Sequence, residues 1–96
     1  MSSKHYFNVI INNLTFDEVA ILSILSDKDA TAVFKAMKRS AVAKESELSE
    51  AVFRKVIGKL TATHLVDTVI TGKEHRVYLT DYGCKALVSS LKEVTE

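Results

Sequence analysis

The sequence predicts an α+β fold in which a strand, three helices, a β-hairpin and a last helix follow one another in a single domain spanning residues 1–96. Three observations predict it. Apolar residues recur at helical spacing between Phe16 and Leu60, β-branched and aromatic runs take over between Leu65 and Thr80, and a helical stripe returns after Asp81. With 47% hydrophobic and 26% charged residues, three Gly and no Pro, the chain has enough apolar material to offset the entropy of ordering. At 96 residues it is too small to hollow out a deep substrate cavity, which argues against a large-pocket enzyme.

The elements follow in order. Residues 5–13 alternate, with His5, Phe7, Val9 and Ile11 on one face of a predicted strand. Thr15 and Glu18 fit a capping box, and the helix they open covers residues 16–26. Its stripe of Phe16, Val19, Ile21, Leu22 and Leu25 is widened by Ala20 and Ile24, so this helix is either central or meets a partner. Asp29 or Thr31 then starts a second helix carrying Val33, Phe34, Met37 and Val42. A third helix begins between residues 46 and 49 and buries Leu48, Val52, Phe53, Val56, Ile57 and Leu60. Residues 65–71 and 76–80 read as hairpin strands joined by Gly72, Lys73, Glu74 and His75, with Gly72 supplying a positive φ. The last helix runs from Asp81 to about Val94, with Cys84, Leu87, Val88, Leu91 and Val94 facing inward.

Two helices joined by a few polar residues and followed by a hairpin describe a helix-turn-helix with a wing. From Leu14 to Leu91 the chain resembles the winged helix-turn-helix domains of MarR-type and related small bacterial or archaeal regulators. The likeness is carried by residues 59–66, which end a helix and lead into Leu65 and Val66, then by the hairpin, then by Leu79, Thr80 and Gly83. His64 stands where the family has a glycine before that Leu-Val pair, a place for a left-handed residue that histidine tolerates. The turn between the second and third helices also lacks the family's frequent glycine.

The resemblance implies double-stranded DNA as partner, with helix 46–63 in the major groove and the wing, 72–76, on the backbone or in the minor groove. Charge placement agrees. The formal net charge is only +1, yet between Lys35 and Lys59 seven basic residues meet three acidic ones, while residues 17–29 carry four acids and one Lys. Arg39, Lys44, Ser49, Arg54, Lys55, Lys59, Lys73 and Arg76 form the expected DNA-contacting set. Arg54 has the donor fork for a bidentate pair with guanine, and Lys55 and Lys59 suit phosphates. Lys73 and Arg76 bracket a phosphate on the wing, with His75 a pH-dependent neighbour. Glu50 repels phosphate from the same helix, and Gly58 is read as a packing position.

A single unit of this class covers little DNA, so the resemblance implies a homodimer. The surplus apolar positions of the N-terminal strand, the first helix and the last offer its surface, the alternative being that the strand adds to the wing sheet and all of these residues are core. The runner-up is a winged-helix docking module that binds protein, a reading that the balanced charge and Glu50 favour. His5, His64, His75 and Cys84 fall on different elements, and no catalytic, metal-binding or phosphate-cradling motif is present, so neither an enzyme nor a cofactor is expected. A lone cysteine and the absence of a signal-like N-terminus or a long apolar run point to a reducing cytoplasm and no membrane role.

Overall fold

The computed structural model describes residues 14–95, with side chains through residue 90. The predicted strand at residues 5–13 and the side chains of Leu91 and Val94 therefore lie outside the described residues. Helix α1 (Phe16–Asp27) leads through a single 3-10 turn (Val33–Lys35) to a short strand β1 (Met37–Lys38), and α2 (Arg39–Ser46) and α3 (Glu50–Ala62) follow. Strands β2 (Val66–Thr71) and β3 (Glu74–Leu79) form the wing, and α4 (Asp81–Thr95) ends the fold. The sheet is antiparallel in the order β1-β3-β2.

Local chemistry explains the helix ends. At the start of α1 the Thr15 hydroxyl accepts from the Glu18 amide at 3.2 Å, and the Glu18 carboxylate accepts from the Thr15 amide at 2.8 Å, the capping box read from the sequence. Helices α1 and α3 end alike. Ala30 N–H donates to Leu25 and Asp29 N–H to Ser26, while Leu65 N–H donates to Leu60 and His64 N–H to Thr61. These are two Schellman motifs. Their left-handed residues are Asp29 (φ 57°) and His64 (φ 65°), so His64 takes the conformation expected of it. Glu47 (φ 59°) does the corresponding work after α2, where the family's glycine is missing.

The second helix is displaced from its predicted position. Val33 and Phe34, expected on its buried face, are exposed, Phe34 to 85%. The first Schellman motif drops Ala30 into the core, and Met37 and Lys38 pair with Val77 and Arg76 of β3. Extended pairing at residues 37–38 is incompatible with a helix through them, so α2 starts at Arg39 and keeps Val42 as its buried residue. The wing is also tighter than predicted: Glu74 and His75 belong to β3, and Gly72 (φ 62°) with Lys73 makes a two-residue turn between Thr71 and Glu74.

One core joins the elements: Ile21, Leu22 and Leu25 of α1, Val42 of α2, Phe53, Val56, Ile57 and Leu60 of α3, Leu65, Val66, Val77 and Leu79 beside the sheet, and Ala86 and Leu87 of α4. Three further residues expected inside are not: Phe16 is 87% exposed, and Val52 and Val88 also face outward. The chain needs only one face of each helix to close so small a core.

The approach of α4 to β2 explains the sequence from Leu79 to Gly83. The Thr80 hydroxyl accepts from Gly83 N–H at 2.9 Å and donates to the carbonyls of His64 and Leu65 at 2.7 and 3.1 Å. A Cβ at position 83 would overlap the Leu65 carbonyl and lie 2.7 Å from Leu79 Cδ1. At Gly58 a Cβ would meet nothing within 4 Å, so the packing role expected for this exposed glycine is overturned. In urea unfolding, Gly83→Ala is expected to lose at least about 1–3 kcal/mol through overpacking, whereas Gly58→Ala is expected to gain up to about 1 kcal/mol of helix propensity.

Candidate nucleic-acid interface

Burial of Phe53, Val56, Ile57 and Leu60 turns the opposite side of α3 outward. Ser49 caps the helix by accepting from Val52 N–H at 3.3 Å, which accounts for the Ser49 position in the sequence. Arg54 and Lys55 are exposed on the outward side, as expected. Arg54 donates through Nη2 to Glu50 Oε1 at 3.0 Å.

A cleft of about 770 Å³ opens between α2, the N-terminal half of α3 and the tip of the wing. It gathers Arg39, Arg54 and Lys73 from the predicted set and adds Lys38, Ser40, Glu50, Glu74 and His75, with Phe53 at the floor of the α2–α3 corner. Four cations face two carboxylates there, a formal +2 in a chain whose total is +1. Arg39 is held in place by the Phe53 ring, 5.9 Å from its guanidinium carbon. Lys38 reaches the cleft because β1 seats it opposite Arg76, a pairing between distant residues that the sequence pattern does not reveal.

Other members of the set are spent on the scaffold or lie apart. Lys59 does not stand out as a free phosphate ligand: its ammonium is 3.0 Å from the carboxylate of Glu18, a side chain only 2% exposed. Arg76 donates to the Ala36 carbonyl at 3.2 Å and pairs with Glu74, which also lies 3.8 Å from Lys38. It therefore stitches β1 to the wing. Lys44 is exposed on the last turn of α2 and Lys55 on α3, and neither lines the cleft. Cys84 is half-buried, and burial, with a smaller contribution from Asp81, pushes its thiol upward. Among the described residues no group of three or more His, Cys, Asp or Glu side chains is placed to hold a metal ion, and no helix is long and apolar enough to cross a membrane.

Three helices, a short strand, a two-stranded wing and a capping C-terminal helix, with a basic cleft between the recognition helix and the wing, define a winged helix-turn-helix protein. No protein-family model matches the sequence. The DNA-binding protein TubR of Priestia megaterium (strain ATCC 12872 / QMB1551) is 46% identical over 86 residues, 90% of this chain and 85% of that one. The structure of TubR from Bacillus megaterium pBM400 superposes with a TM-score of 0.86 at 46% identity, covering 91% of this chain and 97% of that one. The MarR family transcriptional regulator SPO1453 from Silicibacter pomeroyi DSS-3 shares the fold at a TM-score of 0.67 and 23% identity, covering 98% of this chain and 64% of that one. The chain belongs to the TubR family.

Two outcomes are expected from the site's geometry. Lys59→Ala leaves a buried carboxylate without its ammonium partner and should lower the unfolding free energy by about 1–3 kcal/mol, less than for a wholly buried pair because Lys59 is half exposed. Cys84 holds less thiolate than a free cysteine at any pH near 8, so its alkylation by iodoacetamide should be slower than that of glutathione, with the gap narrowing as pH rises.

Proposed function

We propose that this chain is a sequence-specific double-stranded DNA-binding protein that acts as a transcriptional regulator, with the outward face of α3 in the major groove and the wing on the flanking backbone. The observation that carries the reading is the cleft at which Arg39, Arg54 and Lys73 converge from α2, α3 and the wing. A duplex presents a continuous line of phosphates, and cations on three separate elements around a projecting helix suit that line better than they suit a small ligand. The name carried by the TubR relative, a DNA-binding protein, supports it.

Within this reading the predicted set divides by role. Arg54 lies nearest the base edges, and Arg39, Lys55 and Lys73, with Lys38, serve phosphates. Lys44 stands at the periphery of the same face. Lys59 and Arg76 maintain the framework that places the others. Ser49, as N-cap, closes the first turn of α3 and fixes the start of the helix beside the cleft. The protein works as a homodimer in the cytoplasm, since one such unit buries only a modest DNA interface and two bring the affinity that a specific site requires.

Fluorescence anisotropy with a mixed-sequence duplex at low salt tests the proposal, and micromolar or tighter binding that weakens steeply with salt is the expected result. Lys55→Ala should lower affinity on every sequence and reduce the salt slope by about one unit, whereas Lys59→Ala should leave that slope unchanged. No binding at micromolar protein contradicts the proposal. Sedimentation of the free protein at twice the chain mass is expected for the homodimer.

A further inference from the structure

Glu50 is out of place in a cleft that faces phosphates. Its side chain is 85% exposed, it lines the cleft beside Lys73 and Arg39, and its carboxylate would repel any anion brought there. It is not needed as a cap, because Ser49 already accepts the free amide of Val52. An exposed i,i+4 ion pair with Arg54 stabilises a helix by only a few tenths of a kcal/mol, which is small beside the repulsion of a phosphate at close range. The repulsion disappears if the carboxylate meets a hydrogen-bond donor instead. Within the major groove the donors are base amines, and a carboxylate suits the N4 amine of cytosine.

Arg54 supplies the complementary group. Its bond to Glu50 uses one N–H of the guanidinium's five and restrains the fork at the outward face of the first turns of α3, leaving the remaining donors for an acceptor edge. A side chain held in this way loses less rotamer freedom on binding. The fork matches the O6 and N7 acceptors of guanine.

We propose that Glu50 and Arg54 read DNA as a single unit, Arg54 taking the O6/N7 edge of a guanine and Glu50 the N4 amine of an adjacent cytosine, so that the preferred duplex carries these two bases side by side in the major groove. The inference rests on the DNA-binding function proposed above and adds the bases that the site selects. Glu50 then acts as a specificity residue: it makes wrong sequences worse, because any base edge that offers an acceptor where cytosine should be meets a carboxylate.

Selection from a randomised duplex pool by the wild-type protein and by Glu50→Ala, followed by anisotropy titration on the enriched duplex and on versions altered at each position, tests the idea. The wild type is expected to enrich adjacent guanine and cytosine. Glu50→Ala should lose about 5- to 150-fold of discrimination at the cytosine position, while its affinity for unselected duplex stays level or rises. Glu50→Gln should admit adenine at that position, because an amide pairs with the N6/N7 edge. If both variants enrich the wild-type sequence with unchanged discrimination, Glu50 is only a helix-surface group and the inference fails while DNA binding stands. If the wild type retains duplex but enriches no adjacent guanine and cytosine, the inference also fails. A wild-type protein that retains no duplex overturns the proposed function and this inference together.

Discussion

Glu18 and Lys59 make the contact on which the exposed face of α3 depends. One oxygen of the Glu18 carboxylate closes the N-terminus of α1, and the other meets the Lys59 ammonium 3.0 Å away, near the end of α3. Around this pair Ile21, Leu22 and Leu25 of α1 and Phe53, Val56, Ile57 and Leu60 of α3 belong to the same buried cluster. A helix fixed by four apolar residues and one charge pair has a single rotational setting, so Glu50, Arg54 and Lys55 have no choice but to face away. The ends of α3 are fixed as well, by Ser49 before it and by the His64 turn after it, which Thr80 clasps through the His64 carbonyl. The reading surface is therefore a consequence of packing on its hidden side.

The same economy shows in the wing. Arg76 reaches back to the Ala36 carbonyl and pairs with Glu74, while Lys38 approaches Glu74 from β1. The strand before the helix-turn-helix is thereby tied to the hairpin after it, and α2 starts immediately beyond the tie. Lys73, at the turn itself, is left exposed as the wing's leading cation. Arg76 sets the geometry of this tie while Lys38, Arg39, Arg54 and Lys73 line the cleft, which is how a chain of net charge +1 presents a basic cleft.

What was legible in the sequence follows the range of the interactions responsible. The Thr15–Glu18 box is settled within a few residues and can be read directly, and the start of α3 is bracketed between residues 46 and 49 and falls at Ser49. The left-handed His64 and the Thr80–Gly83 turn into α4 are legible through the family resemblance. The outward Arg54 and Lys55 follow from the strong periodicity of α3. Strand β1 could not be read, because two residues become a strand only through partners on β3, and the apolar spacing of Val33, Phe34 and Met37 imitates a helix that the extended pairing of residues 37–38 interrupts. The contacts of Lys59 with Glu18 and of Arg76 with the Ala36 carbonyl are hidden for the same reason: these partners are remote in sequence, and composition gives no sign of them.

On the proposed function, one continuous surface, α3's outward face with the cleft and the wing tip, receives the duplex. Backbone amide chemical-shift mapping of the isotope-labelled protein, titrated with a duplex it binds, tests it most directly. The largest shifts are expected at residues 38–40, 49–55 and 72–75, with little change at residues 20–25 of α1. Shifts concentrated on α1 and the outer surface of α4, with residues 49–55 undisturbed, would contradict it.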